Sequence, residues 1–323
     1  MAEKNVLVTG GAGFIGSHLT ERLLEMGANV IVYDRFDKFY KGKEANLSNV
    51  ASSPRFTLVD GDILDRDKLD AATKGVDVIF HEAGQAGVGF SVENPRVTND
   101  VNVHGTLNVL WSAKSSGVKR IVNASSSSIF GEPRYLPIDE SHPASPTSPY
   151  GVSKLAAEQY GKAFHHVYGL DVVSLRYFSV YGPRGRPDQV IHRFTKSLME
   201  GKPPLINGDG NQSRDFTHVD DVVSATLDAA MTEGIGGEAF NIGFGARTSI
   251  KQLAERLILL TGMEGKTSPR YEEESKGDFP HTQADNKKAA ELLGWRPKIS
   301  LDEGLKNYVD WFMTATRILK RAA

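Results

Sequence analysis

Residues 9–16 read Thr-Gly-Gly-Ala-Gly-Phe-Ile-Gly, and this stretch decides the predicted fold. The apolar segment before it is typical of a strand, and the amphipathic segment after it is typical of a helix. In that context, Gly10, Gly13 and Gly16 have the spacing of a dinucleotide-binding turn. Glycines permit a tight turn and let backbone N–H groups reach a pyrophosphate at the helix N-terminus. A turn used only for packing is the alternative, and the flanking strand and helix argue against it.

Apolar segments of strand length alternate with amphipathic segments through the first half of the chain. Such alternation predicts a parallel sheet covered by helices on both faces. We therefore expect an α/β fold with a Rossmann-type doubly wound sheet. Strands are predicted at residues 5–9, 29–34, 55–60, 77–81, 120–124 and 172–176. Helices are predicted at residues 13–26, 97–116 and 149–168.

The second half of the chain has a different character. Loops rich in glycine and proline surround a helical pattern at residues 220–231 and a short apolar strand at 239–242. We predict a dinucleotide-binding domain over residues 1–180, with its sheet completed by about residues 215–245. A smaller mixed α/β C-terminal lobe over 181–323 is predicted to interleave with it and to bind the substrate.

Composition excludes several classes of site and partner. The chain has 323 residues and no cysteine, which rules out disulfides, zinc–thiolate sites and cysteine nucleophiles. We expect no metal centre. The formal net charge of -2 at pH 7 gives no sign of a nucleic acid or an anionic membrane as partner. No apolar run resembles a secretory signal or is long enough to span a bilayer, so a cytoplasmic location is the default expectation.

A tyrosine and a lysine four residues apart form the second chemical signal, in Ser148-Pro-Tyr-Gly-Val-Ser-Lys154. On a helix, Tyr150 and Lys154 share one face. The ammonium group favours the phenolate and so lowers the pKa of a neighbouring phenol. The pair is therefore predicted to act as a general base toward a substrate hydroxyl near neutral pH. A solvated Lys154 that pairs with Glu158 is the alternative.

Four consecutive serines, residues 125–128, follow the fifth predicted strand. Ligands of doubly wound folds bind at the carboxyl edge of the sheet. One of these hydroxyls is therefore predicted to hydrogen-bond the substrate oxygen that Tyr150 deprotonates. A serine-rich loop that satisfies its own backbone is the alternative.

Acidic residues after the second and third strands extend the predicted cofactor site. Asp34 ends its strand and can accept hydrogen bonds from ribose hydroxyls, while its charge disfavours a 2′-phosphate. This favours NAD over NADP, although Arg35 beside it softens the exclusion. Asp62 and Ile63 either meet the adenine or form an ordinary strand-to-helix turn. His81, which ends a buried strand, is expected to be a satisfied core histidine.

The chain resembles the extended short-chain dehydrogenase/reductases that act on nucleotide sugars, over essentially its whole length. The motifs that carry the resemblance are TGGAGFIG at 9–16, SSSSIFGEP at 125–133, PYGVSK at 149–154, LRYFSVYGPRGRPD at 175–188, GDGNQSRDFTHVDDV at 208–222 and GDFPHTQAD at 277–285. The resemblance implies a Rossmann domain with tightly held NAD and a C-terminal lobe that binds a sugar nucleotide.

Site roles are implied by the same resemblance, position by position. Tyr150 would be the catalytic base, Ser126 the catalytic hydroxyl, and Lys154 the residue that holds the nicotinamide ribose. Arg214 matches an arginine that binds the diphosphate, and a guanidinium suits phosphate oxygens. The NAD site would comprise Gly10, Gly13, Phe14, Ile15, Gly16, Asp34, Asp62, Ile63 and Lys154.

The residues after Ser126 narrow the reaction within this family. The 4,6-dehydratases carry Asp-Glu directly after the catalytic serine or threonine, where this chain has Ser127 and Ser128. The glutamate usual in UDP-glucuronate decarboxylases and the cysteine of the GDP-fucose synthase type are also absent. The resemblance therefore implies an NAD-dependent UDP-sugar 4-epimerase that works through a transient 4-keto sugar. A non-catalytic NAD-binding sensor or scaffold is the alternative of another class.

The segment after the Arg-Tyr-Phe strand bears on the identity of the sugar. Ser179 and Arg186 resemble UDP-glucuronate 4-epimerases, in which an arginine suits the C6 carboxylate. UDP-glucose 4-epimerases typically have asparagine in place of Ser179. Ser127 and Ser128 are further candidate donors to the substrate. Pairing of Arg186 with Asp188 is the alternative, since such ion pairs are common.

Three later positions belong to the predicted substrate site, and one of them, Ser275, weakens the assignment to UDP-glucose. Thr282 matches a gate position that is tyrosine in strict UDP-glucose 4-epimerases, and a small residue there leaves room for an N-acetyl group. Ser275 stands where many of those enzymes have a second diphosphate arginine, so diphosphate binding would rest more on Arg214. Asp278, in the motif at 277–285, is also assigned to the substrate site.

The resemblance implies a homodimer as well. Two copies would pair through the long helices predicted at 97–116 and 149–168, as a four-helix bundle with the two-fold contact that is commonest among oligomers. Candidate apolar contacts, some of which must face the chain's own sheet, are Leu107, Leu110, Trp111, Leu155 and Tyr160.

Overall fold

The computed structural model describes residues 1–37, 39, 42–273 and 280–322, without the side chains of 317–322. Its strands are β1 (Asn5–Thr9), β2 (Asn29–Asp34), β3 (Phe56–Asp60), β4 (Val78–His81), β5 (Arg120–Ser126), β6 (Val172–Tyr177), β7 (Val180–Tyr181), β8 (Leu205–Asn207), β9 (Ser213–Arg214), β10 (Thr217–His218), β11 (Ala239–Ile242), β12 (Thr248–Ser249) and β13 (Arg270–Glu272). Its α-helices are α1 (Phe14–Glu25), α2 (Arg66–Ala72), α3 (Val88–Glu93), α4 (Pro95–Asn99), α5 (Gly105–Ser116), α6 (Pro149–Tyr168), α7 (Val190–Met199), α8 (Val219–Met231), α9 (Ile250–Leu260), α10 (Lys287–Leu292) and α11 (Leu301–Ala322).

Seven parallel strands form one central sheet in the order β11-β6-β5-β4-β1-β2-β3. The chain changes its direction of travel across the sheet at β1, which pairs with β2 on one side and with β4 on the other. Such a switch point is where doubly wound folds bind their ligands. The predicted Rossmann-type parallel sheet is confirmed, and the apolar segment at 239–242 joins it as the edge strand beside β6.

Apolar side chains cover both faces of the sheet, which explains why its strands read as nearly continuous apolar runs. Side chains alternate along β1. Val6 and Val8 pack on one face with Leu19 of α1, whereas Leu7 packs on the other with Leu110 of α5. The sheet is therefore a rigid platform whose polar residues concentrate where its strands end.

A separate apolar cluster lies in the C-terminal part of the chain. Helices α7, α9 and α11 build it with side chains such as Phe194, Leu257 and Leu305. In contrast, α8 and β11 contribute to the core of the central sheet. Segments after residue 180 therefore pack in both clusters, and the predicted domain organisation, with its division at residue 180, stays a prediction. Within the described ranges, the structure contains no helix that is long and apolar enough to cross a membrane.

The long helix predicted before β5 is interrupted. Helix α4 begins at Pro95, where proline suits the first turn, and a π-helical turn at Asp100–His104 connects it to α5. Within this turn, the Asn102 side chain accepts from the backbone N of Gln85 at 2.7 Å and donates to the Ser153 hydroxyl at 2.9 Å. The helical segment predicted at 97–116 is present, and the π-helical turn within it was not predicted, because such tertiary bonds leave no mark on the helical pattern.

Strand β5 runs two residues past its predicted end. Ser125 and Ser126 pair in register with Arg176 and Tyr177 of β6. The other two serines form a 3₁₀ turn, Ser127–Ile129. The expectation that all four serines follow the strand was therefore wrong for the first two.

Candidate active site

The glycine turn between β1 and α1 forms one wall of a cleft. Gly10 has a φ of 71°, in the left-handed region that favours glycine. A Cβ atom at Gly10 would lie 2.6 Å from the backbone N of Ala83, so a larger residue does not fit. Gly13 is the N-cap of α1 and has no side chain to cover the N–H groups of the first turn. The N-terminus of α1 is therefore a ready anion-binding site.

The cleft lies along the carboxyl ends of the sheet strands and has a cavity volume of about 160 Å³. Tyr150 lines it, and so do all residues predicted for the cofactor, namely Gly10, Gly13, Phe14, Ile15, Gly16, Asp34, Asp62, Ile63 and Lys154. The structure thus brings the predicted cofactor set and the predicted base into one cavity, while their individual roles stay predictions.

Asp34 lies where β2 reaches the cleft. Its carboxylate accepts hydrogen bonds from the backbone N of Ala12 at 3.1 Å and of Phe36 at 2.9 Å. The Nζ of Lys43 lies 3.8 Å from Asp34 and 2.9 Å from Asp37. Burial raises the pKa of Asp34, and the charge of Lys43 opposes that shift. Sequence reasoning missed Lys43 and Asp37, because both belong to a polar stretch that is typical of a surface loop.

The guanidinium of Arg35 is engaged by two acids of the same cleft. It donates to Asp62 at 2.9 Å and to Asp37 at 3.3 Å. An arginine that already pairs with carboxylates is less available to a 2′-phosphate. This arrangement supports the predicted preference for NAD more strongly than the sequence did.

Helix α6 carries Tyr150 and Lys154 to the other end of the cleft. Ser148 caps this helix by accepting from the backbone N of Gly151 at 3.1 Å. Lys154 is buried, and its Nζ donates to the carbonyl of Ala124 in β5 at 2.7 Å. Since β5 lies three strands from β2, the predicted base and Asp34 mark opposite ends of the cavity.

Lys154 does not pair with Glu158, which was the alternative that the sequence left open. The Glu158 carboxylate accepts from Arg176 at 2.7 Å and 3.0 Å and from the Ser125 hydroxyl at 2.7 Å. The lysine on the same helix face therefore points its charge toward the cleft.

The four serines at residues 125–128 make different contacts. Ser125 lines the cleft but donates its hydroxyl to Glu158. The Ser126 Oγ accepts from the backbone N of Ser128 at 3.2 Å, which leaves the hydroxyl hydrogen for another acceptor. Among the described residues that line the cleft, Ser126, Ser127 and Ser128 are absent. The local hydrogen bonds fit the self-satisfying alternative, and the catalytic role of Ser126 stays a prediction.

Glu82 is a site residue that sequence reasoning missed. It directly follows β4, lines the cleft, and accepts from the Tyr177 hydroxyl at 2.9 Å. Burial raises the pKa of Glu82 to about 7. The available signal was an acidic residue immediately after an apolar strand, at the edge where ligands bind.

The residue before it, His81, is buried as predicted. Its ring hydrogen-bonds the hydroxyls of Thr9 at 2.7 Å and Thr106 at 3.0 Å. Burial lowers the pKa of His81 to about 3, so the ring is neutral at physiological pH. The interpretation as a satisfied core histidine is confirmed.

A second cavity, with a volume of about 310 Å³, lies beside β7 and α7. Ser179 and Arg214, two residues predicted for the substrate, both line it. Arg193, Gln212 and Phe216 line it as well and were not predicted. This cavity therefore combines two arginines, an amide and an aromatic ring.

Arg186 lines the first cleft and not the second. Its Nε and Nη2 each donate to a carboxylate oxygen of Asp188 at 2.9 Å. The structure therefore shows the pairing that the sequence left open as the alternative. Binding of a substrate carboxylate by Arg186 stays a prediction. It requires the substrate carboxylate to replace the Asp188 carboxylate on the guanidinium.

The structure does not bring Thr282 to the predicted substrate site. Its side chain is buried, its hydroxyl accepts from the backbone N of Asp215 at 3.1 Å, and it lines neither cavity of the described chain. The assignments of Asp278 and Ser275 lie outside the described residues.

Comparisons with known proteins agree on one family. A family model described as "NAD dependent epimerase/dehydratase family" matches residues 6–243. The chain is 40% identical over 317 residues to a putative UDP-glucose 4-epimerase of Methanocaldococcus jannaschii, covering 97% of this chain and 99% of the relative. It is 40% identical over 319 residues to a UDP-glucuronate 4-epimerase of Thermodesulfobacterium geofontis, covering 97% and 98%.

A solved structure gives the same result. UDP-glucuronic acid 4-epimerase from Bacillus cereus, in complex with UDP-glucuronic acid and NAD, matches with a TM-score of 0.92 and 35% identity. The match covers 96% of this chain and 99% of that chain. The fold is therefore shared along nearly the whole length of both proteins.

Substitution of Gly10 by alanine is expected to weaken NAD binding by at least ~10-fold, because the added methyl group would meet the backbone of Ala83 and displace the turn from the diphosphate. NAD released from the purified variant and quantified by chromatography measures the loss. Gly117→Ala is the matched control, because Gly117 has the same φ of 71° but nothing within 4 Å of an added Cβ. Equal NAD retention in the two variants would contradict the role of the turn.

Proposed function

Because the chain belongs to the NAD dependent epimerase/dehydratase family, we propose that it is a UDP-sugar 4-epimerase whose favoured substrate is UDP-glucuronate. The observation that carries the proposal is the single cleft in which the Gly10 turn meets Tyr150 and Lys154. Ser127 and Ser128, where a dehydratase needs an acid pair, support epimerisation over elimination of water. A protein kept only as a sensor or scaffold would have no need of this base at a cofactor cleft.

The residues of the cleft fit NAD. The turn at Gly10 has no space for a Cβ, the N-terminus of α1 suits a diphosphate, and Asp34 offers carboxylate oxygens to a ribose. When bound, NAD supplies the acceptor and donor of the hydride at C4 of the sugar.

Proton transfer at the O4 hydroxyl is the proposed task of Tyr150. The phenolate takes the O4 proton and later returns it, as a general base and then a general acid. Lys154, one helical turn away, provides a positive charge that favours the phenolate. The Ser126 hydroxyl, which accepts locally from Ser128, is proposed to donate its hydrogen to O4.

The second cavity is the proposed site of the UDP group. Its two arginines, Arg193 and Arg214, suit the two phosphates, because guanidinium groups bind phosphate oxygens in pairs. The amide of Gln212 and the ring of Phe216 suit a nucleoside. We accordingly assign substrate binding to the C-terminal part of the chain, residues 181–323.

The segment at residues 179–189, which contributes to both cavities, bears on which sugar the protein would bind. Ser179 and Gln189 line the second cavity, whereas Arg186 lines the first. A sugar held by its diphosphate would reach Tyr150 along this segment and pass Arg186. The carboxylate of a uronate near Arg186 would gain a charged partner. The alternative substrates, UDP-glucose and UDP-N-acetylglucosamine, have no carboxylate on the sugar and do not need such a partner.

Product analysis tests the function directly. Incubation with UDP-glucuronate, UDP-glucose and UDP-N-acetylglucosamine in parallel is expected to give the 4-epimer of UDP-glucuronate fastest. Tyr150→Phe is expected to retain bound NAD and to lose at least ~100-fold in turnover, the low end of what a general base contributes. A variant with nearly the original rate would show that another residue is the base, and no 4-epimer from any of the three would refute the function.

Arg186→Ala tests the substrate. Leaving the C6 carboxylate without its partner costs ~2–5 kcal/mol, so kcat/KM for UDP-glucuronate is expected to fall at least ~30-fold. Activity on the neutral sugars should change much less. Asp188→Ala, which keeps the guanidinium and removes the carboxylate that it now contacts, should preserve activity on UDP-glucuronate. Equal losses on charged and neutral sugars in Arg186→Ala would make the arginine structural and favour the alternative substrates.

We also propose that two copies pair through α5 and α6. Four large apolar side chains of α6 are exposed, namely Val152 at 53%, Tyr160 at 39%, Val167 at 64% and Tyr168 at 46%. Leu110, a candidate contact, instead faces the chain's own sheet. Sedimentation at micromolar concentration is expected to show a dimer that Val167→Glu weakens. A monomer under those conditions would end the proposal.

A further inference from the structure

We propose that the carboxylate of Glu82 stabilises the oxidised form of bound NAD, whose nicotinamide ring is cationic, over the uncharged reduced form. The inference rests on NAD lying in the cleft and does not depend on which UDP-sugar is turned over. It assigns a role to a residue that proton transfer at Tyr150 does not use.

The strand order decides which half of the cofactor lies beside Glu82. The glycine turn follows β1, Asp34 ends β2, and Glu82 follows β4 on the opposite side of β1. With the diphosphate at the N-terminus of α1 and a ribose at Asp34, the nicotinamide half extends over β4 and β5. Neighbouring strands lie ~4.8 Å apart, so about 10 Å separates the strand of Glu82 from that of Asp34.

Glu82 is half-buried, and it lines the cleft that the cofactor would fill. Its Oε1 accepts from the Tyr177 hydroxyl at 2.9 Å, and that hydroxyl also lies 2.9 Å from the Thr226 Oγ1. Among the residues that the structure describes, no cation forms an ion pair with this carboxylate. The positive charge of Lys154 acts on it without forming an ion pair, whereas Asp34 has Lys43 within ion-pair distance.

The groups that face Glu82 decide when it is charged. Tyr177 comes from β6, Lys154 comes from α6, and α8 contributes the neutral Thr226, which contacts the Tyr177 hydroxyl. Burial raises the pKa of Glu82 to about 7, while the Tyr177 bond and the Lys154 charge oppose the rise. The neighbouring histidine ring turns toward β1 and α5 and stays neutral, so it adds no charge.

The sign of the effect follows from this titration. Above about pH 7 the carboxylate is negative, and it attracts a cationic ring more strongly in a desolvated cleft than it would in water. As the pH falls below that value the group becomes neutral and the attraction is lost. The preference for oxidised cofactor should therefore increase between pH 6 and pH 8.5. A protein that holds its cofactor oxidised is ready to accept a hydride at the start of each turnover.

Exchange of the bound cofactor measures this preference without turnover. Holoenzyme is dialysed to equilibrium against mixtures of NAD⁺ and NADH, and both bound forms are quantified by chromatography. At pH 8.5, Glu82→Gln is expected to shift the bound ratio toward NADH by ~10-fold, equivalent to 1.4 kcal/mol. At pH 6 the variant and the original protein should agree closely. The pH series on the original protein is a test in itself, because its bound fraction of NAD⁺ should increase with pH. The test therefore remains valid if Glu82→Gln does not fold.

Two control variants separate charge from packing. Tyr177→Phe keeps the carboxylate and removes a bond that lowers its pKa, so the pH dependence should persist with a higher midpoint. Asp37→Asn removes one charge at the adenosine end and should affect both cofactor forms alike. A bound ratio that is independent of pH in the original protein, or unchanged at pH 8.5 in Glu82→Gln, would overturn the inference. Absence of epimerase activity would refute the proposed function but leave this measurement unaffected.

Discussion

The buried ion pair between Glu158 and Arg176 is the interaction on which the geometry of the site depends. It joins α6 to β6 through two charge-assisted bonds, and the Ser125 hydroxyl adds β5 to the same carboxylate. Removing one partner of a buried pair leaves an uncompensated charge, which costs ~3–5 kcal/mol. With Glu158 committed to the sheet, Lys154 on the same helix is directed to the carbonyl of Ala124 and to the cleft.

Charge is distributed unevenly along the cleft. At the β2 end, Asp34 and Asp37 are compensated by Lys43, and Arg35 pairs with two carboxylates. This network presents oxygens to a ribose while keeping the local charge low. At the β4 end, Glu82 has a hydroxyl donor but no cation within ion-pair distance in the described chain. Binding geometry and redox preference can thus be set at different ends of one cavity.

The segment that connects the two cavities is attached to the cofactor helix. Arg184, whose φ is 65°, contacts the ring of His18 at 3.1 Å and 3.2 Å and pairs with Glu21, both in α1. Burial lowers the pKa of His18 to about 4, so a neutral ring faces the guanidinium. A positive φ at a non-glycine residue persists only where neighbouring contacts hold it. These contacts position Arg186, two residues later, at the cofactor cleft instead of at the second cavity.

The amino-acid sequence by itself determined the parallel sheet, the glycine turn, the family and the set of predicted cofactor residues, all of which line one cleft. These features are local: strand and helix periods repeat within a few residues, and polar residues after parallel strands must meet at one edge of the sheet. The tertiary structure alone decided how individual side chains are used, as shown by Lys43 beside Asp34, Glu82 beside Tyr177, the buried hydroxyl of Thr282 and the pairing of Arg186 with Asp188. The reason is that a polar side chain takes whichever partner the folded chain places within about 3 Å, and most such partners are distant in sequence. Asp188 is near Arg186 in sequence, so the sequence allows the guanidinium either to pair with Asp188 or to bind a ligand. The packing around the two residues selects between these uses.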